Sequence, residues 1–155
     1  LYEVAFCSLL ILQLKGELME ITINEYKYYN AEEILNLYNS VGWCSYTNRP
    51  EMLEHAFEHS LKILGAHDGE KLVGIIRAVG DGFSVLFIQD ILVLPEYQRK
   101  GIGKKLLKTM LEQYPNVYQI QLVTDNTEKT VAFYKSCGFL PYYEIGCEVF
   151  IKIKY

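Results

Sequence analysis

Gln98-Arg99-Lys100-Gly101-Ile102-Gly103-Lys104 stands between a strand-like run and an amphipathic helix. The run before it, Ser84–Leu94 (SVLFIQDILVL), is apolar and rich in β-branched residues, as a strand covered on both faces would be. The run after it places Ile102, Leu106, Leu107, Met110, Leu111 and Tyr114 on one helical stripe. Strand, glycine loop and helix together form the layout of an anion-binding site. Glycines permit positive φ and, lacking Cβ, let a ligand approach the backbone. Several amide N–H groups can then face one phosphate, assisted by the helix macrodipole. Arg99, Lys100 and Lys104 add positive charge beside it.

Two better-known phosphate loops are excluded. The Walker A loop requires Gly, four residues and then Gly-Lys-Ser/Thr. Here Gln98 occupies the place of the first Gly, and Lys105 replaces the Mg²⁺-binding hydroxyl. The dinucleotide fingerprint fails as well, because Leu106 stands where its third Gly should be. A glycine pair alone does not separate an anion loop from an ordinary helix start. The second half of the chain does. Tyr118–Thr124 alternates like a strand, Asp125 and Glu128 have capping-box spacing, and Gly138 is placed to stop the helix that follows.

With these elements in place, the chain resembles the GNAT superfamily of acetyl-CoA-dependent N-acetyltransferases. Residues 98–103 match that family's Gln/Arg-x-x-Gly-x-Gly/Ala loop at every fixed position. Phe133-Tyr134-Lys135-Ser136-Cys137-Gly138-Phe139 looks like its Phe-Tyr-x-x-x-Gly-Phe segment, in the right order and at the usual separation. One departure is visible. Thr127 and Thr130 stand where the family often has Asn and Ala, and Asn126 is shifted by one position.

The resemblance implies an α/β fold: a mixed, mainly antiparallel sheet with helices on both faces and splayed central strands. It also implies direct transfer of acetyl from acetyl-CoA, the cosubstrate, to an amine, with no metal. The pantetheine arm would lie in the splay like an extra strand, against the main chain of Ile91, Leu92 and Val93. An N–H near Val93 would stabilise the developing oxyanion, a contribution typically worth about 3 kcal/mol of barrier. Gln98, Arg99, Lys100, Gly101, Ile102, Gly103 and Lys104 would cradle the pyrophosphate. Asn126 is the polar candidate at the following helix start. Tyr134 matches the family's proton donor to the leaving thiolate, and it is expected to contact the cofactor as well. The amine must also lose a proton. Asp90 is the nearest candidate base, directly or through water, with a purely structural carboxylate as the alternative. Glu144 is a poorer candidate, and bulk water is a further possibility.

Bulk properties agree with one domain. A chain of 155 residues with half of them apolar can bury a sizeable core. A formal charge of −4 argues against general nucleic-acid binding, which relies on a basic surface. Cys7, Cys44, Cys137 and Cys147 form neither a CxxC nor a zinc pattern and read as free thiols of a reducing cytoplasm. Ala5–Leu14 is apolar but too short to span a bilayer, and no basic n-region or A-x-A-like site marks a signal peptide. Met19-Glu-Ile-Thr-Ile looks like a domain start, and Lys15-Gly16-Glu17 can be encoded by a sequence resembling a bacterial ribosome-binding site. Residues 1–18 are therefore expected to be an extension, read as translated leader, with the domain over residues 19–155.

Along the chain, the pattern predicts a strand over Glu20–Tyr26, a helix over Ala31–Tyr38, an aromatic loop over Gly42–Arg49 and a helix from Pro50 to about Ser60. A hairpin turns at Asp68-Gly69 between Leu61–Ala66 and Lys71–Val79. Two last strands are expected over Phe139–Ile145 and Cys147–Lys154, around Gly146. Trp43, Tyr46 and Arg49 lie in the segment that shapes the acceptor pocket in the resembled family, where aromatics can cover an amine by cation–π contact. His55 and His59 share a helical face, but the segment is not HExxH and no third ligand is apparent.

The leading expectation is an N-acetyltransferase acting on a primary amine of a small molecule or peptide. An aminosugar-phosphate acetyltransferase and a catalytically silent acyl-CoA-binding regulatory module are the alternatives. No nucleic-acid or membrane partner is expected, and a homodimer is compatible with the family.

Overall fold

The computed structural model describes residues 20–154, so the expectation for residues 1–18 lies outside the described residues. The sheet has five strands in the order β1-β2-β3-β4-β5: Ile21–Glu25, Lys62–Asp68, Lys71–Gly80, Val85–Val93 and Gln119–Leu122. The first four are antiparallel neighbours, and β4 pairs with β5 in parallel. The expected fold class is therefore the observed one, including the splay of the central strands described below. Among the described residues, no helix is long and apolar enough to cross a membrane.

Helices cover both faces because neighbouring residues of β3 point to opposite sides. Arg77 reaches Ala56 and Ser60, at and just beyond α3 (Pro50–Glu58). Gly74 approaches Leu106 of α4 (Ile102–Gln113) on the other face. Helix α1 (Ala31–Ser40) starts at Asn30, whose side chain accepts from the N–H groups of Glu32 and Glu33, and buries Ile34, Leu37 and Tyr38 beside α3. Helix α3 begins on Pro50 and buries Leu53 and Phe57. Helix α4 buries Ile102, Leu106, Leu107 and Met110 of the stripe read from the sequence, while Leu111 and the C-cap residue Tyr114 are half-buried.

Three expectations are corrected. The aromatic loop contains a short helix, α2 (Cys44–Thr47), closed by the Asn48 N–H donating to Cys44 O. Helix α5 (Glu128–Ser136) is capped by Thr127, whose Oγ1 accepts from Thr130 N–H. Asp125 instead accepts from the backbone and hydroxyl of Thr127, because two capping side chains compete within three residues. The two last strands do not form. Pro141 removes a ladder donor and leads into a 3-10 turn over Tyr142–Ile145, which Gly146 ends at φ 72°. Residues 147–154 alternate like a strand but lack a ladder partner among the described residues, and Phe150 and Ile151 are exposed.

Candidate active site

The anion loop follows β4 through a 3-10 turn at Pro95–Tyr97. Arg99 adopts φ 61° and Gly101 φ 80°, two left-handed residues flanking Lys100, so the backbone forms a concavity at the start of α4. Gly101 is the N-cap and supplies no side chain to the free amides of the first turn, which also carries no acidic residue. A Cβ on Gly101 would meet nothing within 4 Å. One on Gly103 would point toward Phe133, Ile91 and Val93, at 3.9–4.0 Å. The helix start is thus open, electropositive and unobstructed by side chains, which fits the pyrophosphate of acetyl-CoA.

Beside it the sheet parts. β4 pairs with β5 from Val85–Gln119 to Ile88–Leu122, and there the ladder ends, although β4 runs on to Val93. The N–H of Leu94 donates to Val73 O, so its polar groups face β3. Strand alternation then turns the polar groups of Val93 and Ile91 toward the gap. Gln98 Nε2 donates to Val93 O at 3.0 Å and so ties the loop to this free edge.

A bulge marks the same place. Ala78 pairs with Ile88 but Arg77 with Asp90, which leaves Gln89 as an extra residue in β4. Residues paired across an antiparallel ladder share a face. Ile88 therefore lies on the α4 face and Asp90 on the α1–α3 face, despite their spacing of two.

Loop, free edge and α5 border one cleft of about 790 Å³. It brings together Ile91, Leu92, Val93, Gln98, Arg99, Gly101, Ile102, Gly103, Lys104 and Tyr134 of the expected site. Lys100, Asn126 and Asp90 are not on its wall. Lys100 Nζ lies 5.1 Å from the centre of the Tyr97 ring. Asp90 is 1% exposed; its Oδ2 accepts from Arg77 Nε and from Tyr38 OH, the latter at 2.6 Å.

Tyr134 is 9% exposed and held edge-on between Phe133 and Phe139. Burial, reinforced by nearby Cys137 and Asp125, pushes its hydroxyl up to about 12, so it carries its proton at neutral pH. No described residue hydrogen-bonds that hydroxyl.

Trp43 and Val41 close the far end of the cleft. Trp43 stacks on Tyr46 at 5.6 Å, and Gln89 Nε2 donates to Tyr46 OH at 3.3 Å. Arg49 is the N-cap residue of α3 and stays off the cleft wall, and Glu144 is paired with Lys135 at 2.6 Å. His55 Nδ1 meets Glu58 while His59 Nδ1 meets His55 O. Among the described residues, no group of three or more His, Cys, Asp or Glu side chains could hold a metal ion.

Sequence reasoning missed Thr124, Lys129 and Thr130 on the cleft wall, and the buried partner Arg77. A charged residue inside the otherwise apolar run Leu72–Val79 was the available signal for Arg77.

A splayed mixed sheet with an uncapped, glycine-opened helix at the splay defines an acyl-CoA-type transferase. Comparison with known proteins gives the family. Residues 28–139 match the acetyltransferase (GNAT) family model. The uncharacterized N-acetyltransferase ycf52 of Porphyra purpurea is 30% identical over 148 residues, covering 90% of this chain and 83% of the relative. A solved GNAT-family acetyltransferase from Streptococcus pneumoniae TIGR4 is 47% identical, with a TM-score of 0.79 over 87% of this chain and 98% of that one. The PaiA N-acetyltransferase of Thermoplasma acidophilum, solved in complex with coenzyme A, shares the fold at 19% identity and a TM-score of 0.64, over 77% of this chain and 89% of that one. The chain belongs to the GNAT acetyltransferase family and is an acyltransferase; members of this family use acetyl-CoA.

Proposed function

We propose that this protein moves the acetyl group of acetyl-CoA to a primary amine of a small molecule or peptide. One observation carries this reading: the unpaired edge of β4, the open start of α4 and the side chain of Tyr134 share a single cleft. When bound, acetyl-CoA supplies an activated thioester carbonyl and a thiolate leaving group.

The residues of the chain divide the remaining work. Amides from Gly101 to Lys104 and the Arg99 guanidinium hold the pyrophosphate. The main-chain groups of Ile91 and Val93 align the pantetheine arm along β4, and a free N–H there faces the carbonyl oxygen. Tyr134, still protonated, gives its proton to the departing sulfur. Trp43, with Tyr46 stacked against it, walls the acceptor side, where an amine can sit against an aromatic face. The amine's own proton leaves to water of the open cleft, because the carboxylate of Asp90 lies behind the wall.

The test is release of free thiol from acetyl-CoA across a panel of arylalkylamines, polyamines, amino acids, aminosugars, aminosugar phosphates and peptides. Turnover with at least one amine supports the reading. Acetyl-CoA binding without turnover on any amine would make the chain a silent binder.

A further inference from the structure

We propose that Arg77, Asp90 and Tyr38 form a positioning network that sets the Gln89 bulge and, through it, the catalytic edge of β4. The proposal rests on the acetyl-transfer reading above. Arg77 and Asp90 are the buried charged residues of the described core, 3% and 1% exposed. They sit on adjacent strands, paired at the point where the register shifts. Arg77 Nη1 also donates to Ala56 O and Ser60 Oγ, each at 3.2 Å, and its guanidinium lies 5.4 Å from the Phe57 ring centre. Tyr38 brings α1 into the same network through Asp90 Oδ2. One carboxylate thus fastens β4 to β3, and through Arg77 and Tyr38 to α3 and α1.

Stability alone does not account for this arrangement. Oδ1 of Asp90 is buried without a hydrogen-bond partner among the described residues. A buried ion pair with an unsatisfied oxygen is a poor way to stabilise a core, since apolar residues of similar volume do as well or better. What the pair supplies is a fixed place for the chain. Asp90 follows Gln89, the extra residue, and precedes Ile91, the first free main-chain position of the gap. Gln89 in turn bonds Tyr46, and the Tyr38 ring packs on Trp43 at 5.9 Å and on Tyr46 at 5.6 Å. The network therefore bears on both walls of the cleft without lining it.

The experiment compares the parent chain with two variants. Arg77→Met combined with Asp90→Leu removes both charges and keeps the volume. Its melting temperature should stay within a few degrees of the parent while kcat falls at least about tenfold and acetyl-CoA affinity changes less, within about threefold. Tyr38→Phe deletes one hydroxyl and serves if the double variant does not fold. It should lower kcat and leave the midpoint of the pH–rate profile in place. A displaced midpoint would make Asp90 the base and overturn the positioning role. A folded double variant, or Tyr38→Phe, with kcat within about twofold of the parent would overturn it too. A parent without acetyl-CoA affinity removes the acetyl-transfer reading, and this proposal with it. Parent turnover beside unchanged variants removes the proposal alone.

Discussion

Tyr134 shows how one side chain acquires its role from surroundings rather than from identity. Its ring is clamped by Phe133 and Phe139, and the residue lines the cleft. Tyr134→Phe keeps the clamp and deletes the proposed acid. The expected result is acetyl-CoA affinity within a few-fold of the parent and kcat lower by about 10²-fold, measured by calorimetry and thiol release. A second expectation concerns pH. Burial raises the Tyr134 hydroxyl to about 12, so its acid form persists well above neutrality. A group that acts while protonated, with a raised pKa, keeps its activity to higher pH. With an identified amine, kcat/KM should rise as the amine loses its proton and should not fall again below about pH 10. An alkaline fall between about pH 8 and 10 would assign proton donation to another group.

At the scale of elements, the contact between β3 and β4 has little slack. A Cβ on Gly74 would lie 2.9 Å from Leu92 O and 3.2 Å from Val93 Cγ2. Gly74→Ala must therefore push on the strand whose far edge faces the cleft. It should destabilise by about 1–3 kcal/mol in urea unfolding, as an overpacked core does, and lower kcat together with stability. The elements legible from sequence were those fixed by short-range rules. The loop at 98–104 was readable because its glycines open an amphipathic helix and because the segment Phe133–Phe139 follows in the right order and at the usual separation. Of its candidate residues, Gln98, Arg99, Gly101, Ile102, Gly103 and Lys104 line the cleft and Lys100 does not. Arg77 stayed hidden because its meaning lies in Asp90 and Ser60, which only the fold brings near. The bulge at Gln89 was invisible for the same reason, since a register shift is a property of two strands. The C-terminal alternation misled in the opposite sense. Residues 147–154 have the period of a strand, but a strand exists only where a ladder receives it.

For the molecule as a whole, loop and gap border one cleft, the proposed seat of acetyl-CoA. A ligand that binds the folded chain alone adds stability by mass action, about 2.7 kcal/mol at a hundred times its dissociation constant. For a domain of this size that is a rise of about 5–10 °C in melting temperature, readable by thermal shift with acetyl-CoA. No shift at saturating acetyl-CoA would contradict the assignment of the cleft. The parallel join between β4 and β5 carries a further consequence. β1 to β4 form a meander of antiparallel neighbours, whereas β5 is held by one four-residue parallel ladder and is half-buried. Helix α5 adds only Tyr134 to the buried set, against four residues from α4. The β5–α5 flank should thus open on its own, at a lower free energy than global unfolding. Deuterium should enter the amides of β5 sooner than those of β3. Acetyl-CoA, bridging the flank to α4, should slow exchange in β5 while leaving β2 and β3 nearly unaltered. Equal protection of β3 and β5 in the free protein would show instead that the sheet opens as one unit.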